Sequence, residues 1–251
     1  MPIVTLLTDF GTADGYVAEM KGVLLAQAPD AVLVDVSHDV PAHDVESGRL
    51  ALARYWRRFP EGTVHLCVVD PGVGSARAGL AVESDGRWLV GPDNGLLSPA
   101  LLMAGARVVT LEVPAQAAPT FHGRDVFAPA AAALASGAPL DSLGHPMLAP
   151  VVRRTPEARR REDGSIAGEV ITVDRFGNVV TNCLGLRGGS IEVAGRTLAI
   201  ARTYADAMSG ALTALCGSNG LIEVAVRDGS AAAMLGIGRG APVVYRPTAR
   251  D

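Results

Sequence analysis

Residues 63–77, TVHLCVVDPGVGSAR, place a largely apolar run directly before a polar turn. The run from Thr63 to Val69 is rich in β-branched residues, which is typical of a strand buried on both faces of a sheet. The run ends at Asp70, and a Pro-Gly turn follows at once. A buried strand that ends in this way favours an α/β layer with a mostly parallel sheet, provided that helices and strands alternate around it.

Strand and helix patterns do alternate on both sides of this stretch. Apolar runs predict strands over residues 3–7, 31–36, 63–69, 79–83, 87–90 and 108–113. Apolar residues at helical spacing predict helices over residues 16–24, 45–59, 96–103 and 125–135. Asp85-Gly86 separates two of the strands and predicts a hairpin. We therefore expect an N-terminal α/β domain whose helices flank a mostly parallel sheet.

The composition changes between residues 146 and 165, where prolines and a cluster of arginines interrupt the apolar pattern. The arginines fit either an anion site or a solvated linker, and we favour the linker. Beyond it, short strands alternate with glycine-containing turns, which predicts a smaller all-β domain resembling a barrel. Its predicted strands are residues 169–173, 179–183, 190–193, 197–200, 221–226 and 243–245. The predicted organisation is domain 1–155, linker 156–167 and domain 168–251.

Composition excludes several classes of function. The 251 residues carry 22 Lys+Arg and 26 Asp+Glu, a formal charge of −4, with no long run of one sign, so we expect no nucleic-acid partner. No apolar stretch approaches the roughly 18 residues of a membrane span, and the N-terminus lacks a signal-peptide pattern. We expect a cytoplasmic protein with no membrane contact. The cysteines Cys67, Cys183 and Cys216 form no CxxC pair, which favours neither a zinc site nor a disulfide framework.

Polar residues follow several of the predicted strands. In an open α/β sheet, ligands bind outside the carboxyl ends of the strands, which selects Asp9, residues 35–38, Asp70 and residues 92–95 as candidates. Asp9 equally fits a helix cap or an Asx-turn. The pairs at residues 38–39 and 43–44, each His-Asp, have the composition of a metal site. No third strong ligand lies nearby in the sequence, so we expect no metal.

Asp70 and Arg77 form the most informative pair. An arginine seven residues after a strand-end carboxylate can hold that carboxylate ionised and oriented. The alternative is a rigid glycine turn with a surface ion pair. The segment has neither the GK[ST] ending of a P-loop nor a GxGxxG pattern. His122 precedes the predicted helix 125–135 and fits acid/base or polar-binding chemistry. The alternative is that Asp125 caps the helix and His122 is an ordinary loop residue.

The predicted β domain has its own polar interruptions. Asp174, Phe176 and Asn178 interrupt an apolar hairpin, which fits a pocket for a planar, hydrogen-bonding ligand or simply a turn with a packing phenylalanine. Tyr204 and the turn at residues 218–220 are similar interruptions. No serine lies in a G-x-S-x-G elbow, which disfavours a serine hydrolase.

Six segments, in order along nearly the whole chain, resemble the SAM hydroxide adenosyltransferase family, which is related to the fluorinase and chlorinase enzymes. They are residues 8–14, 35–38, 69–74, 91–95, 120–125 and 174–178. The resemblance implies hydrolysis of S-adenosyl-L-methionine (SAM) to adenosine and L-methionine, by attack of water or hydroxide on the ribose C5′. It implies no cofactor and no metal, because the neutral thioether leaves without protonation.

The resemblance also implies roles for individual residues. The water-activating Asp, Arg and His of the family match Asp70, Arg77 and His122. Substrate-binding roles are implied for the ribose (Asp9), the methionine end (Thr120, Asp174, Ser218) and the adenine (Phe176, Asn178, Tyr204). Asn219 also falls in the binding region, where the fluorinase has an arginine. The family commonly shares each site between the first domain of one subunit and the second domain of a neighbour, so we expect a homotrimer with active sites at subunit interfaces.

Two other functions stay open at this point. A SAM-dependent halogenase, similar to the chlorinase or fluorinase, would lack the Asp/Arg/His set and carry a tryptophan where His43 stands. A non-catalytic nucleoside- or SAM-binding protein would keep the pocket without turnover.

Overall fold

In the described residues, 1–185 and 188–248, this computed structural model contains two β-sheets. The chain divides into two units, Met1–Arg154 and Thr155–Asp251, with one sheet in each. The first sheet is flanked by helices, while the second unit is almost entirely strands. The predicted fold class, an α/β domain followed by a β-barrel-like domain, is confirmed. The predicted domain and linker limits stay predictions.

The first unit is built on seven strands, all within residues 1–154, which the structure describes throughout. The strands are β1 (Ile3–Thr8), β2 (Val32–Ser37), β3 (Val64–Val68), β4 (Gly79–Ser84), β5 (Arg87–Pro92), β6 (Arg107–Leu111) and β7 (Gly144–Pro146). Their order across the sheet is β2-β1-β3-β5-β4-β6-β7. The first four in this order are mutually parallel, β4 and β7 run antiparallel to their neighbours, and five strands therefore share one direction.

Helices cover both faces of this sheet. They are α1 (Tyr16–Gln27), α2 (Val45–Tyr55), α3 (Ser98–Leu101) and α4 (Ala128–Ala135), with short 3₁₀ turns at Trp56–Arg58 and Leu140–Ser142 and a π-helical turn at Gly123–Phe127. In β3, Leu66 and Val68 pack in the core that α1 and α4 share, whereas Cys67 packs in the core of α2 and α3. Because both faces are buried, the strand is apolar except at His65, whose Nδ1 lies 2.8 Å from Thr5 Oγ1.

The second unit is a closed barrel in its described residues. Its strands are β8 (Arg159–Arg160), β9 (Ile166–Val173), β10 (Val179–Leu184), β11 (Ser190–Val193), β12 (Arg196–Ala201), β13 (Leu212–Cys216), β14 (Leu221–Val226) and β15 (Pro242–Arg246). Seven of them close a ring in the order β9-β10-β14-β13-β12-β11-β15, and β15 pairs back to β9. Strand β8 pairs with the start of β9 outside the ring, within the segment predicted as a linker.

Several predicted bounds need correction. The helix predicted over residues 96–103 is a single turn, α3, because residues 96–97 belong to the preceding turn and another turn begins at Leu102. The helix predicted over residues 125–135 begins as the π-helical turn before α4. Strand β13 and the short helix α5 (Ala231–Leu235) were not predicted, since neither LTALC nor AAAML shows a period that distinguishes a strand from a helix. Among the described residues, no helix combines the length and apolar character that a membrane crossing requires.

Candidate active site

A cavity of about 540 Å³ lies within the first unit, beside the carboxyl ends of β1 and β3. These strands are parallel neighbours, so the residues that follow them meet at one edge of the sheet. Asp9 follows β1 and Asp70 lies just beyond β3, and both line the cavity. Residues 118–124 and the start of α1 complete its wall. The strand-end rule therefore located from sequence two of the three acidic residues that line this cavity, Asp9 and Asp70, but not Glu19 of α1.

Asp70 and Arg77 form a bidentate ion pair. Arg77 Nε donates to Asp70 Oδ1 at 2.9 Å, and Arg77 Nη2 donates to Asp70 Oδ2. The side chains are only 5% and 11% exposed, so the interpretation as a surface ion pair is wrong. The turn between them needs glycine at Gly74, where φ is 76° and a Cβ would lie 2.5 Å from the Pro119 carbonyl oxygen. The guanidinium also stacks on Phe127, 5.2 Å from the ring centroid.

His122 extends this pair into a three-residue contact. Its Nδ1 lies 3.2 Å from Arg77 Nη2. A guanidinium can only donate, so Nδ1 accepts and the proton of the neutral ring sits on Nε2. Burial lowers the pKa of His122 below its ordinary 6.5, and the charge of Arg77 lowers it further, against the opposite effect of Asp70 and Asp125. At neutral pH the site therefore combines a carboxylate, a guanidinium and a neutral imidazole.

The alternative interpretation, in which Asp125 caps the helix and His122 is an ordinary loop residue, is wrong in both parts. His122 is buried rather than an ordinary loop residue. Asp125 does not cap α4, whose N-cap residue Phe127 makes no side-chain cap. Asp125 instead accepts two hydrogen bonds from Arg124 and one from the Ala118 N–H, and these fix the loop that carries His122.

Asp9 holds another part of the cavity wall. Its Oδ2 accepts the His43 backbone N–H at 2.8 Å, and His43 has a left-handed backbone with φ of 66°. The N-cap of α1 is Gly15, so Asp9 is not the cap of that helix. Thr120 also lines the cavity and is exposed. Asp9, Asp70, Thr120 and His122 therefore share one cavity, as the resemblance implied for a single site.

The two His-Asp pairs at residues 38–39 and 43–44, which have the composition of a metal site, make separate contacts in the structure. His38 Nδ1 lies 2.9 Å from Thr8 Oγ1 and its Nε2 lies 3.1 Å from Asp35 Oδ1. Asp44 accepts the Ser47 N–H and caps α2. Among the described residues, no group of three or more His, Cys, Asp or Glu side chains is arranged to hold a metal ion.

Sequence reasoning missed an aromatic wall of the cavity. Phe10, Tyr16 and Phe121 pack edge to face, with ring centroids 5.3–6.0 Å apart. Arg124 stacks on Phe121 and pairs with Glu19 at 2.7 Å. The sequence does contain a signal for this wall. Aromatic residues are scarce, with 5 Phe and 4 Tyr in the chain, yet these three all fall in or beside the motif segments.

In the second unit, Asp174 organises a turn. Its Oδ1 accepts the backbone N–H groups of Phe176 and Asn178, and its Oδ2 accepts Asn178 Nδ2, all at 2.9 Å. Asn178 is buried, while the ring of Phe176 is 76% exposed. Phe176 is thus not a packing residue of the turn within this chain, and its ring faces solvent.

The remaining predicted residues of the second unit lie on exposed segments. Tyr204 donates through its hydroxyl to Glu223 Oε2 at 3.1 Å, and its side chain is 41% exposed. Ser218 and Asn219 are exposed, and Asn219 Oδ1 accepts the Leu221 N–H at 3.0 Å. The buried Glu223, which anchors Tyr204, was not predicted, because its strand shows only an apolar pattern.

Fold and site together define a class of protein, with an α/β unit that carries a carboxylate–guanidinium–imidazole contact and a β-barrel unit that follows it. The SAM hydroxide adenosyltransferase N-terminal domain model matches residues 4–144, and the C-terminal domain model matches residues 168–244. The chain belongs to this family, as its six motif segments predicted.

Relatives of known name support the assignment. The chain is 44% identical to the (R)-S-adenosyl-L-methionine hydrolase of Thermus thermophilus over 96% of its own length and 98% of that protein. It is also 44% identical to the enzyme of the same name from Salinispora arenicola, over 94% of each chain. A fluorinase from Actinopolyspora mzabensis is 32% identical over 72% of this chain and 71% of the fluorinase.

Solved structures are similar over the whole chain. A conserved protein from Thermotoga maritima has a TM-score of 0.88 at 31% identity, covering 96% of this chain and 99% of that one. A conserved protein from Thermus thermophilus has a TM-score of 0.84 at 44% identity, covering 98% of this chain and 100% of that one.

The contact between Arg77 and His122 predicts the protonation of the ring. We expect ¹H–¹⁵N spectra of the imidazole at neutral pH to show His122 protonated on Nε2 only, and to remain so as the pH falls somewhat below 6.5. Arg77→Met should abolish the preference for that tautomer, whereas the exposed His145 serves as an internal control. A doubly protonated His122 at neutral pH would contradict this assignment.

Proposed function

We propose that this chain hydrolyses SAM to adenosine and L-methionine at the cavity of the first unit, with Asp70, Arg77 and His122 as catalytic residues. The observation that carries the proposal is the buried contact among these three side chains at the wall of a ligand-sized cavity. Membership of the family and the names of relatives at 44% identity place the chain among SAM hydrolases.

The charge of the cavity suits the substrate. Three carboxylates, Asp9, Glu19 and Asp70, line it together with one guanidinium, that of Arg124, which pairs with Glu19, and SAM carries a positive sulfonium. Aromatic rings beside the carboxylates add a surface that attracts an onium group. The substrate charge is lost when neutral methionine leaves, so the site does not need to protonate the leaving group.

The reaction needs a water molecule held in line with the C5′–S bond. The water oxygen forms the bond to C5′, the C5′–S bond breaks, and its electron pair goes to sulfur. Asp70 accepts the proton that the water loses and passes it to solvent. Arg77 uses one lone-pair direction on each Asp70 oxygen, so the carboxylate keeps others for the water and cannot rotate. The Nε2–H of His122 is not used by Arg77 and can donate to the same water.

The substrate-binding residues are part of the proposal. Asp9 binds the ribose hydroxyls, and Thr120 lies near the methionine end. In the second unit, Asp174 and Ser218 bind the amino-acid group, and Asn219 lies next to them. Phe176, Asn178 and Tyr204 surround the adenine, which the exposed ring of Phe176 supports.

We further propose a homotrimer in which the first unit of one subunit and the second unit of a neighbour share each site. Among the described residues of the second unit, five large apolar residues are exposed in the single chain: Phe176 at 76%, Leu184 at 66%, Tyr204 at 41%, Met208 at 80% and Met234 at 50%. Exposed patches of this kind mark binding surfaces. The same proposal includes a cytoplasmic location and catalysis without a metal, since a neutral thioether leaves without Lewis-acid assistance.

A halogenase is the second candidate, because a fluorinase is 32% identical to the chain. The Asp70 carboxylate in the cavity wall favours hydrolysis, since it can accept a proton from water but repels a halide ion. Incubation with SAM in H₂¹⁸O, with and without chloride, separates the two. We expect ¹⁸O at the 5′ oxygen of adenosine under both conditions. A 5′-chloro product would identify a halogenase, and no product at all would identify a binding protein.

Asp70→Asn tests the catalytic assignment. The amide keeps the shape of the side chain but cannot take a proton from water, so we expect kcat to fall by about 10² to 10⁴. Calorimetry should find SAM binding within about fivefold of the original protein. The matched control is Asp163→Asn, which alters an exposed carboxylate that pairs with Arg246. Equal turnover by Asp70→Asn and Asp163→Asn would remove Asp70 from the mechanism.

A further inference from the structure

The turn after β5 carries a side chain that reaches the backbone directly before Asp70. Strand β5 ends at Pro92, and Asn94 lies two residues further on. The Asn94 Nδ2 group donates to the carbonyl oxygen of Val69 at 2.9 Å. The function described above does not use Asn94, although it lies in one of the motif segments.

The Val69 carbonyl lies where the strand ladder has ended. The last registered pair between β3 and β5 is Leu66 with Val90, and the last between β1 and β3 is Thr8 with Val68. Val69 is fully buried, and a buried carbonyl left without a donor costs about 1–3 kcal/mol. The side-chain amide of Asn94, in the turn after β5, thus supplies the donor that the ladder no longer provides at Val69.

The amide of Asn94 is itself fixed. Its Oδ1 accepts the Leu96 N–H at 3.1 Å, which assigns the oxygen and directs Nδ2 toward Val69. The backbone carbonyl of Asn94 accepts Arg153 Nε at 2.9 Å. Gly95 follows with φ of 94°, a conformation that suits glycine and brings the Arg153 side chain against the turn. Asn94 therefore presents its donor in one orientation.

The Val69 carbonyl and the Asp70 nitrogen belong to the same planar peptide group. A hydrogen bond to that oxygen therefore fixes the orientation of the peptide plane, which also contains the Cα of Asp70. Arg77 fixes the other end of the residue, the carboxylate. With both ends held, the Asp70 oxygens have one position relative to the cavity.

We propose that Asn94 is a positioning residue for Asp70, which sets the direction of the carboxylate through the Val69–Asp70 peptide. This rests on the proposed hydrolysis. A displacement of the nucleophile by a fraction of an ångström affects the in-line attack more than it affects substrate binding. Loss of the Asn94 donor therefore acts on kcat rather than on KM.

Asn94→Asp is the sharpest test, because it keeps the shape and the acceptor for Leu96 but presents an ionised oxygen to the Val69 carbonyl. We expect kcat to fall by about tenfold to a hundredfold, with KM within about twofold. A protonated carboxyl can donate again, so the ratio of mutant to original kcat rises as the pH falls from about 8 to 5. Asn94→Ala, which removes the donor without adding charge, shows the loss without the recovery at low pH.

Asn182→Asp is the matched control. Asn182 also donates from Nδ2 to a backbone carbonyl, that of Pro156, and accepts a backbone N–H, that of Glu169, each at 2.8 Å. It lies in the barrel, so the same chemical change should leave kcat within about twofold and its pH profile unchanged. Circular dichroism at the assay temperature confirms that each variant is folded.

A second readout does not depend on turnover. The imidazole resonances of His122, which contacts the Asp70–Arg77 pair through Arg77, should shift in Asn94→Asp and stay in place in Asn182→Asp. If the original protein does not hydrolyse SAM but the His122 resonances still shift in Asn94→Asp, the proposed function is refuted and the positioning of Asp70 by Asn94 is retained. Unshifted resonances, an Asn94→Asp kcat equal to that of the original protein, or a pH-independent ratio would overturn the positioning of Asp70.

Discussion

The site depends on the bidentate contact between Arg77 and Asp70. One guanidinium holds both carboxylate oxygens, donates to His122 and stacks on Phe127. A buried carboxylate without its cation is strongly destabilising, so the pair and the turn that joins it form together. The same contact therefore stabilises the end of β3 and fixes the charges that the chemistry requires.

Sheet topology explains why this contact faces a cavity. The chain leaves β1 into α1 on one face, and leaves β2 into α2 on the other, before returning to β3. The chain leaves β1 toward β2 and leaves β3 toward β4, on opposite sides of the β1–β3 pair, which leaves a crevice at the carboxyl ends of these two strands. Asp9 and Asp70 are the first acidic residues after these strands, so the crevice is acidic and suits a cationic substrate.

Local patterns predicted much of this arrangement, and tertiary contacts account for the rest. Strand ends located Asp9 and Asp70, and a spacing of seven residues around a Pro-Gly turn indicated Arg77. No local pattern links Arg77 to His122, 45 residues later, or joins Phe10 and Phe121 into one wall. Such contacts depend on how β1, β3 and the loop before α4 pack, and this is set by the whole sheet.

The most direct test of the account is a crystal structure with adenosine and L-methionine bound together. The 5′ oxygen of adenosine is the atom that the water supplied, so it should lie within about 3 Å of an Asp70 carboxylate oxygen, with the methionine sulfur on the opposite side of C5′. Adenosine bound in the cavity with its 5′ oxygen away from Asp70, or bound elsewhere on the chain, would contradict the account.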